Sequence, residues 1–166
     1  LADDLYPLSP MQQGMLFHTL TAPGSGVYVT QLAWTFGGAV DMTAFRRTWE
    51  AVIQRQPSLR TSFVAEDADQ PLQWVHPEAT LPWEEHDWRG ADEAEQQSRF
   101  ETLVSEDRAR GFDLRTPPLL RLTVIRTDER TWRILWTLHH LIVDGWSLGL
   151  LFQELFTTYE QVRSGR

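Results

Sequence analysis

The stretch LLRLTVIRTDERTWRILWTLHHLIVDGWS, residues 119–147, decides the predicted fold. Its segments 119–127 and 131–139 are rich in apolar and β-branched residues, and only the tripeptide DER separates them. Two strand-like runs with so short a connection predict a β-hairpin. The second run leads directly into two adjacent histidines, His139 and His140, which therefore stand at the end of a predicted strand.

Helical and strand-like patterns alternate on both sides of this hairpin. Ser9 is a suitable N-cap residue, and Gln12 stands where it completes a capping box, so a first helix is predicted here. Asp41 is the predicted cap of a second helix, and Pro57 follows its end. Helical spacing of apolar residues predicts a last helix, with the stripe Leu148, Leu151, Phe152, Leu155, Phe156 and Tyr159. Further strands are predicted at 28–36, 59–64, 72–76 and 83–86, and the acidic stretch 84–107 is predicted to form a solvated helix face.

These elements predict the α+β (mixed α/β) class, with a mostly antiparallel or mixed sheet flanked by helices. The length of 166 residues fits one domain or one lobe of a larger domain.

The composition excludes several classes of site. The chain has no cysteine, which excludes disulfides, thiolate nucleophiles and cysteine-ligated metal clusters. All fifteen basic residues are arginine, and the absence of lysine excludes Schiff-base chemistry and a Walker-type phosphate loop. The formal charge of −8 argues against nucleic-acid binding, and no apolar run approaches the ~20 residues of a membrane span. We therefore expect a cytoplasmic protein with neither nucleic acid nor membrane as a partner.

Most of the functional information lies between His139 and Ser147. Adjacent residues on a strand point to opposite faces, so one imidazole is expected inside the lobe and the other at a cleft. Gly145 permits backbone conformations that other residues resist. A helix that begins after Asp144 directs its N-terminal amides toward the same region, and this positive potential favours a neutral, basic imidazole.

Several interpretations of this segment are open. The histidines can be ordinary polar residues at the end of a strand. A metal site is disfavoured because adjacent side chains on a strand diverge and no other cluster has ligand spacing, so no metal is expected. Ser147 lacks a nucleophile-elbow sequence, which disfavours a serine triad. The remaining interpretation is a histidine that acts as general base, or positions a proton, for a nucleophile that the substrate supplies.

Three segments resemble the motifs of one family. HHLIVDG (139–145) resembles the signature of the chloramphenicol-acetyltransferase-like superfamily. YPLSPMQQGMLFH (6–18) resembles the opening motif of nonribosomal peptide synthetase condensation domains, and RQPSLRTSF (55–63) resembles their second motif. The second motif departs from the family pattern, because Gln56 and Pro57 stand where a His-Glu pair is usual. The three motifs occur in the family order and together span nearly the whole chain.

The resemblance implies an architecture and a reaction. Residues 1–166 would form the N-terminal lobe of a chloramphenicol-acetyltransferase-like fold, and the C-terminal lobe would be absent from this chain. The intact enzyme would join an acyl or peptidyl thioester on a donor peptidyl carrier protein to the amine of an aminoacyl thioester on an acceptor carrier protein. Both substrates would be tethered to 4'-phosphopantetheine arms that enter a tunnel between the lobes. The lobe would bind no cofactor itself, and the isolated fragment is expected to be inactive.

The resemblance also implies roles for individual motif positions. His140, the second histidine, would accept a proton from the attacking amine or hold that amine in line. His139 would be the structural histidine, turned away from the tunnel. Asp144 would pair with Arg60 of the second motif, since a buried carboxylate needs such a partner.

Two residues after the aspartate complete the implied site. Gly145 would bring its backbone N–H near the thioester oxygen as an oxyanion donor, and the alternative is a plain turn glycine. Trp146 would line the tunnel mouth, and the alternative is a core tryptophan.

Two other functions are kept as alternatives. The first is a free-standing, acetyl-CoA-dependent O-acetyltransferase of the same superfamily, although the opening motif at 6–18 disfavours it. The second is a non-catalytic module that docks a carrier protein. Within the condensation interpretation, the opening motif resembles domains that accept a D-configured donor.

Overall fold

The structure, a computed structural model, describes residues 4–65 and 70–165. The strands are β1 (Leu5–Pro7), β2 (Val29–Gly37), β3 (Thr61–Val64), β4 (Leu72–Val75), β5 (Trp83–Asp87), β6 (Leu120–Asp128) and β7 (Thr131–His139). The helices are α1 (Pro10–Thr21), α2 (Met42–Arg55), α3 (Glu93–Arg110) and α4 (Gly145–Arg163), with a short 3₁₀ helix at Pro57–Arg60. The predicted mixed α/β class is confirmed.

The strands form two sheets. A four-stranded sheet has the order β2-β7-β6-β5, in which β5 runs parallel to β6 and the other pairs are antiparallel. A smaller antiparallel sheet has the order β1-β4-β3. The predicted hairpin is confirmed as the β6–β7 pair, in which Leu120 lies opposite Leu138. The last residue of β7, His139, lies opposite Val29 of β2, so the large sheet fixes where the histidine pair begins.

Helices cover both faces of the large sheet. On one face, α2 packs against β7 through Trp49, whose ring centroid lies 4.8 Å from that of Trp136. On the other face, Phe100 of α3 packs with Ile125 and Leu135 in a separate apolar cluster. Alternate residues of β6 and β7 therefore serve two cores, as expected for a sheet buried on both sides. None of the described helices is both long and apolar enough to cross a membrane.

Local sequence signals set the ends of the helices as predicted. The Ser9 hydroxyl accepts a bond from the Gln12 N–H at 3.2 Å, and the Ser9 N–H donates to the Gln12 side chain at 3.0 Å, which completes the capping box. The Asp41 carboxylate caps α2 by accepting from the Ala44 N–H at 2.9 Å. Helix α3 ends at Gly111, whose φ of 59° lies in the region that favours glycine.

Three details differ from the prediction. Residues 59 and 60, predicted as the start of a strand over 59–64, belong instead to the 3₁₀ helix at Pro57–Arg60, because Pro57 fixes φ near the helical value. The acidic stretch begins as strand β5, and α3 starts only after its cap Asp92. Phe156 is 69% exposed, because it lies on the side of α4 opposite the buried Leu151 and Leu155.

An unpredicted ion pair joins α3 to the sheet. Arg121 of β6 donates from Nε to Asp107 of α3 at 2.8 Å, and both side chains are only 10% exposed. The guanidinium also donates to the Asp107 and Gly111 carbonyls and lies 4.2 Å from the Phe112 ring. A buried charge is tolerated only when its hydrogen bonds are satisfied, and this one has partners on three sides.

We expect Trp49→Ala to lower the free energy of unfolding by about 3–5 kcal/mol, because it removes a 1%-exposed side chain and leaves a cavity against Trp136. Arg47→Ala, at an exposed position of the same helix, should change it by less than about 0.5 kcal/mol. Urea denaturation followed by circular dichroism measures both. Equal midpoints for the two variants would show that α2 does not anchor the core.

Candidate functional site

The two histidines occupy different environments at the end of β7. His139 is 1% exposed, whereas His140 is half-buried in the turn that follows the strand. The His140 N–H donates to the Tyr28 carbonyl at 2.8 Å, which continues the contact between β7 and β2 by one residue. The backbone of His140 is therefore held by the sheet although the strand has ended.

Tyr28 reaches this position in an unfavourable backbone conformation. Its φ of 60° lies in the left-handed region, which costs a residue other than glycine of order 1–3 kcal/mol. The conformation turns the Tyr28 carbonyl toward the N–H of His140 just before β2 begins. Local strain thus accompanies the contact that fixes the histidine turn.

The ring of His139 is hydrogen-bonded on both nitrogens. Nδ1 accepts a bond from the Leu141 N–H at 3.1 Å, and Nε2 lies 3.2 Å from the Thr19 hydroxyl oxygen. Burial, and to a smaller extent the neighbouring His140, lowers the pKa of His139 to about 4. The ring is therefore neutral at physiological pH, and it links β7, the following turn and α1.

The ring of His140 has no hydrogen-bond partner in the described part of the chain. Its Nδ1 is buried without a partner. His140 does not border either of the two cavities described below. As a whole residue His140 is half-buried, so part of it is exposed to solvent.

The predicted ion pair between Asp144 and Arg60 is wrong for the described residues. Asp144 is exposed and is the N-cap of α4, where its carboxylate accepts from the Ser147 N–H at 2.7 Å. Hydrogen bonds from Ser147 lower the pKa of Asp144. Arg60 instead donates from its guanidinium to the His76 carbonyl. Helix capping satisfies the carboxylate locally, so it needs no distant cation.

The residues after the aspartate lie on the first turn of α4. Gly145 has no left-handed φ, and a Cβ there would meet nothing within 4 Å, so the conformational freedom that glycine permits is not used at this position. Its N–H stands at the positive end of the helix and is not used by the Asp144 cap. Trp146 is 83% exposed, which excludes the core alternative.

Of the two cavities near these segments, the larger lies beside His139. It has a volume of about 520 Å³ and is bounded by the C-terminal half of α1, residues 22–27, β3 and residues 110–115. The smaller cavity, of about 220 Å³, lies between the 3₁₀ helix and α4. The histidine predicted to be structural therefore borders this cavity, and His140 does not.

Thr19 and Gln12 are contacts of the histidine turn that the sequence did not predict. Thr19 contacts the His139 ring, and the Gln12 amide nitrogen lies 3.4 Å from the Leu141 carbonyl. Both residues belong to α1 and are far from the histidines in sequence. The only signal was that Gln12 falls within the opening motif at 6–18.

The comparisons with known proteins agree with one another. A protein-family model described as a condensation domain matches residues 2–166. One of the linear gramicidin synthase proteins of Brevibacillus parabrevis is 40% identical over 163 residues, which cover 98% of the chain and 2% of that protein. Bacitracin synthase 1 of Bacillus licheniformis is 32% identical over 163 residues, or 98% of the chain and 3% of its own length. The chain thus spans only a few per cent of these relatives.

The same likeness extends to solved structures. The crystal structure of the starter condensation domain of rhizomide synthetase RzmA superposes with a TM-score of 0.84 at 21% identity. The superposition covers 97% of this chain and 40% of that one. At this identity the likeness shows a shared fold.

We expect Asp144→Ala to lower the melting temperature by several degrees and Asp144→Asn to retain most of the wild-type value, because asparagine caps a helix about as well as aspartate. A double-mutant cycle of Asp144→Asn with Arg60→Gln should be additive, since the two side chains share no contact. Thermal denaturation of the four proteins measures both effects. A large coupling energy would show that Asp144 and Arg60 interact after all, as the ion-pair prediction held.

We expect the stability of the protein to fall in acid because of His139. Its pKa is about 4 in the folded state and near the ordinary 6.5 when unfolded, so the unfolded state binds the extra proton between these values. Its contribution is present above pH 6.5 and is lost toward pH 4, a decrease of roughly 3 kcal/mol. His139→Asn, which cannot titrate, should show a shallower slope of unfolding free energy against pH than the wild type. Parallel slopes for His139→Asn and wild type would refute the neutral buried ring.

Proposed function

The chain belongs to the condensation-domain family, and from this premise we propose that residues 1–166 are the N-terminal lobe of a nonribosomal peptide synthetase condensation domain. The proposed reaction joins a donor acyl or peptidyl thioester to the amine of an acceptor aminoacyl thioester. Both substrates would be tethered to 4'-phosphopantetheine on carrier proteins, which are the proposed partners. The rest of the same polypeptide would supply the second lobe, and a chain without cysteine is in keeping with a cytoplasmic location.

The observation that carries the proposal is the environment of His140. Its backbone is fixed by the 2.8 Å bond from its N–H to Tyr28, while its ring makes no hydrogen bond within the described lobe. A side chain held at its base and unpaired at its tip is suited to contact a group from outside the lobe. The buried Nδ1 leaves Nε2 as the atom that would meet the acceptor amine.

The chemistry assigned to His140 is the transfer of one proton. The amine nitrogen of the acceptor attacks the thioester carbon of the donor, and a carbon–nitrogen bond forms. His140 takes a proton from the attacking nitrogen through Nε2, which leaves a neutral amine on the tetrahedral intermediate. The carbon–sulfur bond then breaks, and the departing sulfur takes up the proton that His140 removed from nitrogen, so that the donor side leaves as a thiol and His140 is neutral again. General-base assistance of this kind typically contributes 10²–10⁴-fold to a rate.

The N-terminus of α4 is the proposed site of charge stabilisation. Gly145 is its first residue, and its N–H is not taken by the Asp144 cap. Backbone N–H groups at a helix start carry a partial positive charge, which stabilises a developing oxyanion. We propose that Trp146, exposed on the same turn, contributes to the wall of the substrate path.

Much of the remaining rate enhancement would come from positioning. A thioester is an activated acyl donor, and a neutral amine is a good nucleophile. Holding two tethered reactants in contact therefore removes a large entropic part of the barrier. A single lobe offers only one wall for this, so the proposal includes that residues 1–166 alone form no amide.

We expect His140→Ala in the full-length synthetase to lower the rate of amide formation by about 10²–10⁴-fold, because the base for the attacking amine is lost. The melting temperature should be unchanged, since the ring has no hydrogen bond to lose. The measurement is single-turnover product formation with both carrier proteins loaded, followed by mass spectrometry of the carrier-bound product.

His86→Ala is the matched control, since His86 is a half-buried histidine on β5 at the far edge of the same sheet. It should retain the wild-type rate. A wild-type rate for His140→Ala would refute the assignment of His140 as the base. If the wild-type synthetase transferred acetyl groups from acetyl-CoA and formed no amide, the proposed function itself would be refuted in favour of an acetyltransferase.

A further inference from the structure

A chain of hydrogen bonds joins α1 to the turn that carries His140. The Leu141 N–H donates to His139 Nδ1 at 3.1 Å. His139 Nε2 lies 3.2 Å from the Thr19 hydroxyl, and this hydroxyl donates to the Met15 carbonyl at 2.8 Å. The chain passes through one buried ring and ends on the backbone of α1.

The donors and acceptors in this chain fit one arrangement of protons. Because Nδ1 of His139 accepts the Leu141 N–H, the hydrogen of the neutral ring is on Nε2. The Thr19 hydroxyl has already given its hydrogen to the Met15 carbonyl, so its oxygen is free to accept from Nε2–H. Thr19 thus selects the tautomer of His139 that can hold Leu141.

Gln12 holds the same turn at a second point. Its amide nitrogen lies 3.4 Å from the Leu141 carbonyl, while its amide oxygen completes the capping box on Ser9 at 3.0 Å. Both polar backbone groups of Leu141 are therefore tied, directly or through His139, to side chains of α1. Together with the bond from the His140 N–H to Tyr28, these contacts fix the backbone on both sides of His140.

We propose that Thr19 and Gln12 are positioning residues for the imidazole of His140. This inference rests on the proposed function, because it concerns the residue assigned as base. Neither side chain contacts His140, so both act through the turn: Thr19 through the His139 ring and Gln12 through the Leu141 carbonyl. The opening motif at 6–18 and the residue just after it thereby gain a role in the chemistry of a segment more than 120 residues away.

The 520 Å³ cavity beside His139 determines what is expected when the Thr19 hydroxyl is removed. Thr19 and His139 both border it, so water can enter and replace a lost hydroxyl as the acceptor for Nε2–H. Such a replacement would preserve much of the stability but would not hold the ring in one orientation. Loss of Thr19 should therefore appear in the rate more than in the melting temperature.

The test compares three variants of the full-length synthetase with carrier-bound substrates. Thr19→Val should lower the single-turnover rate at saturating acceptor by about tenfold or more, with little change in the apparent KM, because misplacing a base slows the chemical step. Thr19→Ser, which restores the hydroxyl, should recover the rate. Thr21→Val is the matched control, since Thr21 makes the same bond to the backbone of α1 but does not contact His139. It should keep the wild-type rate.

Gln12→Glu tests the same inference independently, in case Thr19→Val does not fold. Glutamate keeps the acceptor of the capping box and loses the amide hydrogens that face the Leu141 carbonyl and the Gln73 side chain, so α1 should remain capped while the rate falls. Gln73→Glu, which removes a side-chain amide but not the bond to Leu141, should keep the wild-type rate. A wild-type rate for Gln12→Glu, or for Thr19→Val when folded, would overturn the inference, and so would equal impairment of Thr19→Ser. Amide formation that survives in His140→Ala would instead overturn the proposed function, and the two failures are thereby distinguished.

Discussion

The burial of β7 between β2 and β6 is the constraint on which the site depends. Residues 134–139 of this strand are all buried, and they pair on both sides across the antiparallel sheet. A one-residue slip in register would exchange the two faces of the strand, so burial on both faces fixes the register tightly. Since His139 is the last residue of β7, the same constraint fixes where the turn begins and where His140 lies.

The sequence predicted those parts of the fold that depend on local rules. The capping box at Ser9, the cap at Asp41 and the hairpin of β6 and β7 each follow from residues that are close in sequence. The strand after Pro57 was predicted to begin at residue 59 rather than 61, because residues 59 and 60 continue an apolar, strand-like stretch while Pro57 starts a helical turn. The parallel pairing of β5 with β6 depends on how α3 crosses over, and no local pattern specifies that.

The candidate site was predicted less completely, because its contacts join distant segments. Asp144 and Arg60 were expected to pair through the family resemblance, yet each finds a nearer partner: the start of α4 for the carboxylate and the His76 carbonyl for the guanidinium. Local hydrogen bonds win because they require no ordering of a second distant charge. The contact of Thr19 was not predicted because its partner His139 is distant in sequence, and no residue near Thr19 indicates that its hydroxyl contacts that ring.

The two histidines show how one residue type takes different tasks through its surroundings. If His139 were protonated, its Nδ1 would carry a hydrogen and face the Leu141 N–H donor to donor. The hydrogen bond that holds the turn to His139 would then be lost. Burial opposes that protonation by lowering the pKa of the ring, and the rigidity of the turn therefore depends on a histidine that stays neutral. His140, by contrast, is half-buried, and its Nδ1 has no hydrogen-bond partner in the described part of the chain. The buried His139 thus holds the turn in place, and we propose that the neighbouring His140 is the base that this turn positions.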